Sequence, residues 1–279
     1  MNDLNSLVPA VERDRFATEG YLILERVIPE DLLQMLREEC AYFLGYMDAR
    51  MDAGLVPDGA LSRRGSRYFV NDRYRYSTRL WRFLFSDLMA EVCRATLGED
   101  AVLFHEQWVV KGAEQGMKFS WHQDSGYVKH YDPNTDHAPY VTCWCTLDDV
   151  SEANGTVYLL PHSRGGTRGR IITHRQDPES NDLIGYDGDD RGIAIEVPAG
   201  SIVAFSSYNL HSSGANTTDR MRRVYLPQYA AAPILHSETG EQMNLGVPFV
   251  RDGVNIYGHA EDTAERWGGS PAPEIAAQG

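Results

Sequence analysis

Two periods of hydrophobic placement divide the chain. From Pro29, Glu30 and Asp31 occupy an opening turn, and Leu33, Leu36, Cys40, Phe43 and Met47 follow at steps of three and four, which is one apolar face of a helix. A second helical stretch, about 77–97, carries Leu80, Phe83, Leu84, Leu88 and Val92 on a similar stripe. Ahead of both, Gly20 interrupts, and Tyr21, Leu22, Ile23 and Leu24 form a short apolar run suited to a buried strand. The first 100 residues therefore read as a helical layer with one extended piece.

From about residue 101 the period changes. Short runs rich in β-branched and aromatic residues, 101–110, 117–122, 140–148, 155–160, 192–197, 201–206 and 222–229, are separated by turn chemistry. Asn154-Gly155 is a hairpin signal, and Pro198-Ala199-Gly200 announces a strand from Ser201 to Phe205. The expected architecture is mainly β with a helical layer, a sandwich or jelly roll able to enclose a ligand cavity.

Length and composition sharpen this picture. At 279 residues, with 42% hydrophobic and 24% charged residues, one core is expected, with a single domain over 1–267 made of the helical layer (about 1–100) and the β core (about 101–235). Residues 268–279 read as a mobile tail and 175–191, acidic and rich in turn residues, as a surface loop over a site. The net charge of -14 opposes contact with phosphate backbones and anionic lipid, so neither nucleic acid nor membrane is an expected partner. With no basic start followed by an apolar run, and no window approaching the roughly 18 apolar residues of a membrane span, a cytoplasmic protein is expected. Cys40, Cys93, Cys143 and Cys145 lack C-x-x-C spacing and are expected as buried, reduced thiols.

Candidate chemistry centres on Trp121-His122-Gln123-Asp124. In an extended strand His122 and Asp124 point to one face and Gln123 to the other, so an imidazole and a carboxylate can meet one ion. Two histidines and one carboxylate on one face of an octahedron leave positions free for oxygen chemistry, as in non-haem iron(II) oxygenases. A lone H-x-D is a weak signal. His211, after the run 201–206 and before Ser213-Gly214, is the best third ligand, placed at the mouth of a barrel, with His105 and His162 as rivals. His130, His137, His174, His236 and His259 have turn-rich or polar neighbours and read as surface residues. Eleven residues past His211, Arg222 opens an apolar run and can face inward, where a buried guanidinium needs an anionic partner; alternation sends Arg223 the other way.

These positions together resemble the phytanoyl-CoA dioxygenase family of iron(II) and 2-oxoglutarate enzymes. The likeness is carried by Phe16 with Gly20-Tyr21, the run from Trp121 to Tyr127, Leu147-Asp148-Asp149-Val150 with Asn154-Gly155, Pro161 with Ser163, and His211, Ser213 and Arg222. It implies a double-stranded β-helix of cupin type, with Fe(II) held by His122, Asp124 and His211. It also implies that Arg222 grips the distal carboxylate of 2-oxoglutarate with help from Ser213 and Trp144, and that Gln107 and Phe119 line the co-substrate pocket. The implied activity uses O2 to oxidise, most simply to hydroxylate, an unactivated C–H bond of a small molecule, releasing succinate and CO2. Non-catalytic binding, or metal-dependent hydrolase or lyase chemistry on the same barrel, are the alternatives. His162 after Pro161 and Ser201 after the Pro-Ala-Gly turn depart from the family pattern, which bears on substrate fit. Asp124 argues against the halogenating members, which lack that carboxylate.

Substrate identity is not legible. Specificity is expected in 60–76, 127–139 and 175–191. Tyr68, Tyr74, Tyr76, Tyr127 and Tyr131 suggest an amphipathic pocket, and Arg63, Arg64 and Arg67 a solvated patch or a reach toward an anionic substrate.

Overall fold

The computed structural model describes residues 7–56, 62–113, 118–178 and 182–267; the tail expected over 268–279 lies outside them. In chain order its N-terminal part runs α1 (Ala10–Glu19), β1 (Tyr21–Leu24), α2 (Glu30–Asp52), β2 (Arg67–Asn71), α3 (Trp81–Leu84) and α4 (Asp87–Thr96). Then come β3 (Ala101–Lys111), β4 (Phe119–His122), α5 (Asp124–Tyr131), β5 (Val141–Thr146), β6 (Val157–Leu160) and α6 (His162–Gly165). The chain continues through β7 (Arg175–Gln176), β8 (Leu183–Ile184), β9 (Ile193–Ala194), β10 (Ile202–Ser206) and β11 (Leu210–Ser213). It closes with β12 (Arg222–Ala230), β13 (Val247–Arg251), β14 (Val254–Asn255) and α7 (His259–Trp267).

The helices form where capping and periodicity agree. Pro29 precedes α2, and Glu30 and Asp31 stand in its first turn, where a helix N-terminus favours negative charge. The stretch expected as one helix over 77–97 is two. Phe85 leaves helical geometry, and the Ser86 side chain then accepts from Met89 N at 3.3 Å, restarting the chain as α4.

All strand pairings are antiparallel. The larger sheet follows the order β1-β10-β5-β12-β3-β13-β14 with β2 also on β3, the smaller is β4-β11-β6-β9, and β7 pairs β8. Alternation along the large sheet sorts side chains into two cores. Cys143, Cys145, Ala204, Tyr225 and Tyr229 face the helices and join Leu36, Phe43, Phe83 and Val92. Trp144, Val203, Phe205, Val224 and Leu226 point the other way and meet Val157 and Leu159 of the small sheet. Each such buried aliphatic or aromatic side chain contributes roughly 1.5–3 kcal/mol. The two sheets curled over this second core form the jelly roll.

The structure revises several expectations. Arg67–Asn71 is a strand within the expected helical layer, because Tyr68 and Val70 bury against the helices while Phe69 turns inward. Asn154-Gly155 does not close a hairpin: it ends a single 3-10 turn with a Ser151/Asn154 capping box and carries the chain from the large sheet to the small one. Residues 175–191 are not wholly irregular, since β7 and β8 pair there.

Candidate active site

His122 ends β4, and β11 brings His211 into register directly across from it. His211 is thus in the wall of the small sheet and not at a barrel mouth, as the sequence suggested. Asp124 is also placed differently: Gln123 stays extended but Asp124 opens α5. The carboxylate still reaches the imidazoles. Asp124 Oδ1 lies 3.8 Å from His122 Nε2 and 3.4 Å from His211 Nε2, and the three side chains each offer a ligand atom within 4.8 Å of the others. His105 lies on another wall of the cavity, and His162 is buried against Thr167 instead, 2.9 Å from its Oγ1.

Backbone carbonyls orient both rings. His122 Nδ1 sits 2.7 Å from Ser120 O and His211 Nδ1 3.2 Å from Asn209 O, contacts that place the ring proton on Nδ1 and leave the Nε2 lone pair aimed inward. Asp124 Oδ2 accepts from Thr142 Oγ1 and, at 3.1 Å, from Gln228 Nε2. Burial, followed by the neighbouring His211, pushes His122 down to about 3. Burial works to raise Asp124, but His211, His122 and the Thr142 hydrogen bond outweigh it and hold the carboxyl at about 2. A neutral His122 imidazole beside an ionised carboxylate suits a divalent cation, and the donor set of His122, Asp124 and His211 fits iron(II).

Gln123 faces the opposite way and ties the strand to its surroundings. Its Nε2 donates to Arg170 O at 3.0 Å and Tyr208 O at 2.6 Å, and its Oε1 accepts from Ile172 N at 2.7 Å. Its backbone N–H donates to His174 Nε2 at 3.0 Å. His174 is therefore a structural clamp and not the surface residue its polar neighbours implied.

A cavity of about 620 Å³ runs past the three side chains. Arg222, Ser213, Trp144, Gln107 and Phe119 all line it. Arg222 is 1% exposed, donates from Nη2 to Gly155 O at 3.0 Å, and lies with Cζ 5.5 Å from the Trp144 ring. Its Nε and Nη1 are buried without a partner. Burial pushes it down to about 9, which still leaves it cationic at neutral pH. Arg223 is on the other face, bound to both Asp148 oxygens at 3.0 and 2.6 Å, so Asp148 acts on Arg222 only through space and gives it no hydrogen bond. A buried guanidinium with two idle donors is costly unless an anion completes it.

Lys111 is a residue the sequence reading missed. It pairs in register with Arg222, donates to Ser213 Oγ at 2.7 Å and to Gly214 O, and is held well below the usual lysine range, first by burial and then by Arg222. Its signal was the two-residue step along β3 from His105 through Gln107. Arg67 is likewise buried and not in a solvated patch, with Nη1 3.5 Å from Asp182; Arg64 pairs instead with Asp52. Of the tyrosines, Tyr127 and Tyr131 line the cavity, Tyr68 and Tyr74 belong to the helix-side core, and Tyr76 is exposed. His236 lines the cavity as well, though its neighbours suggested a surface role, and His259 stacks on Trp81 at 4.1 Å. Among the described residues no helix is long and apolar enough to cross a membrane.

Curled antiparallel sheets holding an inward His/Asp/His trio define a jelly-roll protein of the non-haem oxygenase class. The chain belongs to the phytanoyl-CoA dioxygenase (PhyH) family, whose model matches residues 16–224. It is 28% identical over 171 residues to a probable alpha-ketoglutarate-dependent hypophosphite dioxygenase from Stutzerimonas stutzeri, a match covering 58% of this chain and 57% of that protein. It is 23% identical over 254 residues to phytanoyl-CoA dioxygenase domain-containing protein 1 of Danio rerio, covering 76% and 86%. Among solved structures, EvdO2 of Micromonospora carbonacea var. aurantiaca complexed with 2-oxoglutarate superposes with a TM-score of 0.64 at 23% identity, over 84% of this chain and 95% of that one. EctD of S. alaskensis with 2-oxoglutarate and 5-hydroxyectoine gives 0.65 at 17% identity, over 88% and 87%.

Proposed function

We propose that the protein is an iron(II) and 2-oxoglutarate-dependent dioxygenase that hydroxylates a C–H bond of a small molecule, with His122, Asp124 and His211 as the metal ligands. The observation that carries this reading is the buried Arg222, with Nε and Nη1 unpartnered, in the same cavity as the trio. A metal-bound water acting as a hydrolytic nucleophile would leave that guanidinium without work. A co-substrate with a distal carboxylate gives it an anionic partner. The 2-oxoglutarate named with EvdO2 and EctD supports the same assignment.

When bound, iron(II) with 2-oxoglutarate and O2 supplies the two-electron oxidation, and the co-substrate leaves as succinate and CO2. The chain's part is positioning and exclusion of water. Arg222 would hold the distal carboxylate, with Ser213, itself held by Lys111, as a further hydroxyl at that end, and Trp144 and Phe119 would line the co-substrate's place. Thr142 and Gln228 hold Asp124 by its Oδ2, leaving Oδ1, the oxygen nearest both imidazoles, for the metal. Titration of the anaerobic protein with Fe(II) and 2-oxoglutarate should give the visible charge-transfer band of the chelate. No band, or iron-dependent turnover indifferent to 2-oxoglutarate, would refute the assignment.

A further inference from the structure

The end of the cavity away from Arg222 holds a polar pair that the co-substrate reading does not use. Asp72 and His105 both line it. His105 Nδ1 is 3.2 Å from Asp72 Oδ1, an ion-pair contact outside good hydrogen-bond geometry; neither atom meets any other partner, and the Asp72 side chain as a whole is 43% exposed. Asp72 follows β2 with φ 55, a left-handed turn that short polar side chains tolerate best. Its backbone N–H is fixed on Glu106 O at 3.0 Å. Burial alone would raise the Asp72 carboxyl, yet the contact with His105 and the charges of Arg75 and Arg73 outweigh it and keep it below its ordinary value. Those two arginines do not occupy the cavity. Arg73 turns back onto Asn71 O at 2.7 Å and packs over Tyr46 and Tyr76, and Arg75 is exposed.

The charge of the lining is one-sided at this end. Arg222 is the one lysine or arginine among the described lining residues, and it belongs to the opposite end. Residues 1–6, 57–61, 114–117, 179–181 and 268–279, which lie outside the described set, contain no Lys, Arg or His. An anionic substrate group would therefore meet carboxylate and aromatic walls with no lysine or arginine to receive it, His105 and His236 being the basic side chains left in the lining beyond the metal ligands. Phe104, next to His105 in β3, and Tyr140, with ring centroids 4.9 Å apart, line the same cavity, and aromatic faces add to the attraction for a cation.

Strand register sets the scale. His105 pairs with Gln228 on β12, and Gln228 pairs with Thr142 on β5; Gln228 and Thr142 are the two residues that hold Asp124. His105 thus stands one strand spacing, about 5 Å, beyond Gln228, and Asp72, which follows β2 on the far side of β3, about two. A group anchored on Asp72 therefore sits about two strand spacings, roughly 10 Å, from the strand that holds Asp124, which sets the length of substrate that would present a carbon to the metal ligands.

We propose that Asp72 and His105 form the substrate anchor and that the substrate is a small compound bearing a protonated amine, whose nitrogen donates to Asp72. This rests on the oxygenase reading above. Neutral polyols and phosphorus oxyanions are the competing classes, and the experiment separates them.

The purified protein is first titrated anaerobically with Fe(II) and 2-oxoglutarate for the chelate band; its absence brings down the oxygenase reading and the anchor with it. With the band in hand, succinate formation in air is measured with the common amino acids and simple alkyl amines, each beside its N-acetyl derivative, and with diols and alkyl phosphonates of matched length. One or more free amines should raise the succinate rate and yield a product 16 mass units heavier, and N-acetylation should abolish the effect. Asp72→Asn should raise KM for the best amine about 10- to 100-fold, the range for losing a hydrogen bond to a charged group, with a smaller change in kcat. The variant's own chelate band reports its folding, and the acetylation comparison, made on the unaltered protein, stands without it. Stimulation by diols or phosphonates and not amines, no stimulation by any amine while the band forms, or an unchanged KM in a band-forming Asp72→Asn variant would overturn the proposal.

Discussion

Lys111 and Arg222 pair in register across β3 and β12, two buried basic side chains whose hydrogen-bond partners among the described residues are neutral oxygens. Water does not screen them from each other: burial and then Arg222 hold Lys111 well below the usual lysine range, and Arg222 keeps a buried charge that an anion relieves. Replacing Arg222 with Leu should then act in opposite directions. The protein without 2-oxoglutarate should melt at or above the wild-type temperature, because an uncompensated buried charge has been removed. Affinity for 2-oxoglutarate should fall roughly 100-fold, as when one partner of a buried charge pair is truncated. Thermal midpoints with and without the co-substrate check both arms: at the same concentration 2-oxoglutarate should raise the wild-type midpoint more than that of the variant.

Asp124 depends on two neighbours that are not themselves expected on the metal. Thr142 Oγ1 and Gln228 Nε2 donate to its Oδ2, and they come from adjacent strands of the large sheet, β5 and β12, whereas the histidines come from the small one. The large sheet thereby aims the carboxylate at the imidazoles across the fold. Gln228→Leu should weaken Fe(II) binding about 10- to 100-fold, the usual cost of losing such a supporting contact. Fe(II) titration followed by the chelate band would measure it, and unchanged affinity would remove Gln228 from that role.

Much of this arrangement was readable from local rules. The steps of three and four after Pro29 gave α2, and alternation in β5 separated Cys143 and Cys145, on the helix side, from Trp144, on the cavity side. Arg222 was separable from Arg223 for the same reason. What failed was non-local. The β2 strand has an ordinary short polar and aromatic pattern and is defined by its pairing with Val109, Val110 and Lys111, so periodicity within its own five residues could not reveal it. His211 looked like a loop residue because β11 spans only Leu210–Ser213, too short for a period to register. Lys111 and Arg67 are charged side chains whose burial depends on Ser213 and Asp182, distant in sequence. Charge ordinarily reads as surface, and here that rule misplaced the cations nearest the candidate co-substrate end.

Glu106 predicts a pH dependence of stability distinct from any effect of the site. It is fully buried, accepts from Tyr74 N at 2.7 Å, and burial pushes its carboxyl from an ordinary 4.5 up to about 7. Between those values the folded protein keeps the proton that the unfolded chain releases, so stability falls as pH rises through that window. At about 1.4 kcal/mol per pH unit, the loss is on the order of 3 kcal/mol. Glu106→Gln keeps an acceptor for Tyr74 and cannot ionise. Urea unfolding at pH 5, 6, 7 and 8 should show the variant's free energy changing less over this range than the wild type's; parallel curves would contradict the assignment.

The clamp between His174 and the β4–α5 junction can be tested through the space it occupies. A Cβ added at Gly126 would stand 2.6 Å from both His174 Nδ1 and Nε2, and the ring is held in place by Gln123 N and, at Nδ1, by Ile172 O at 2.9 Å. Gly126→Ala must therefore displace the imidazole or α5, at a cost of about 1–3 kcal/mol, as for overpacking elsewhere. His174→Ala alone should also destabilise, by leaving the Gln123 N–H without its acceptor. Together the changes should cost less than their sum, because removing the ring removes the clash. A coupling of about 1 kcal/mol in a double-mutant cycle of urea unfolding is expected. Strict additivity would mean that the alanine at 126 is accommodated without touching His174, and that the ring does not set the position of the Gln123 backbone between His122 and Asp124.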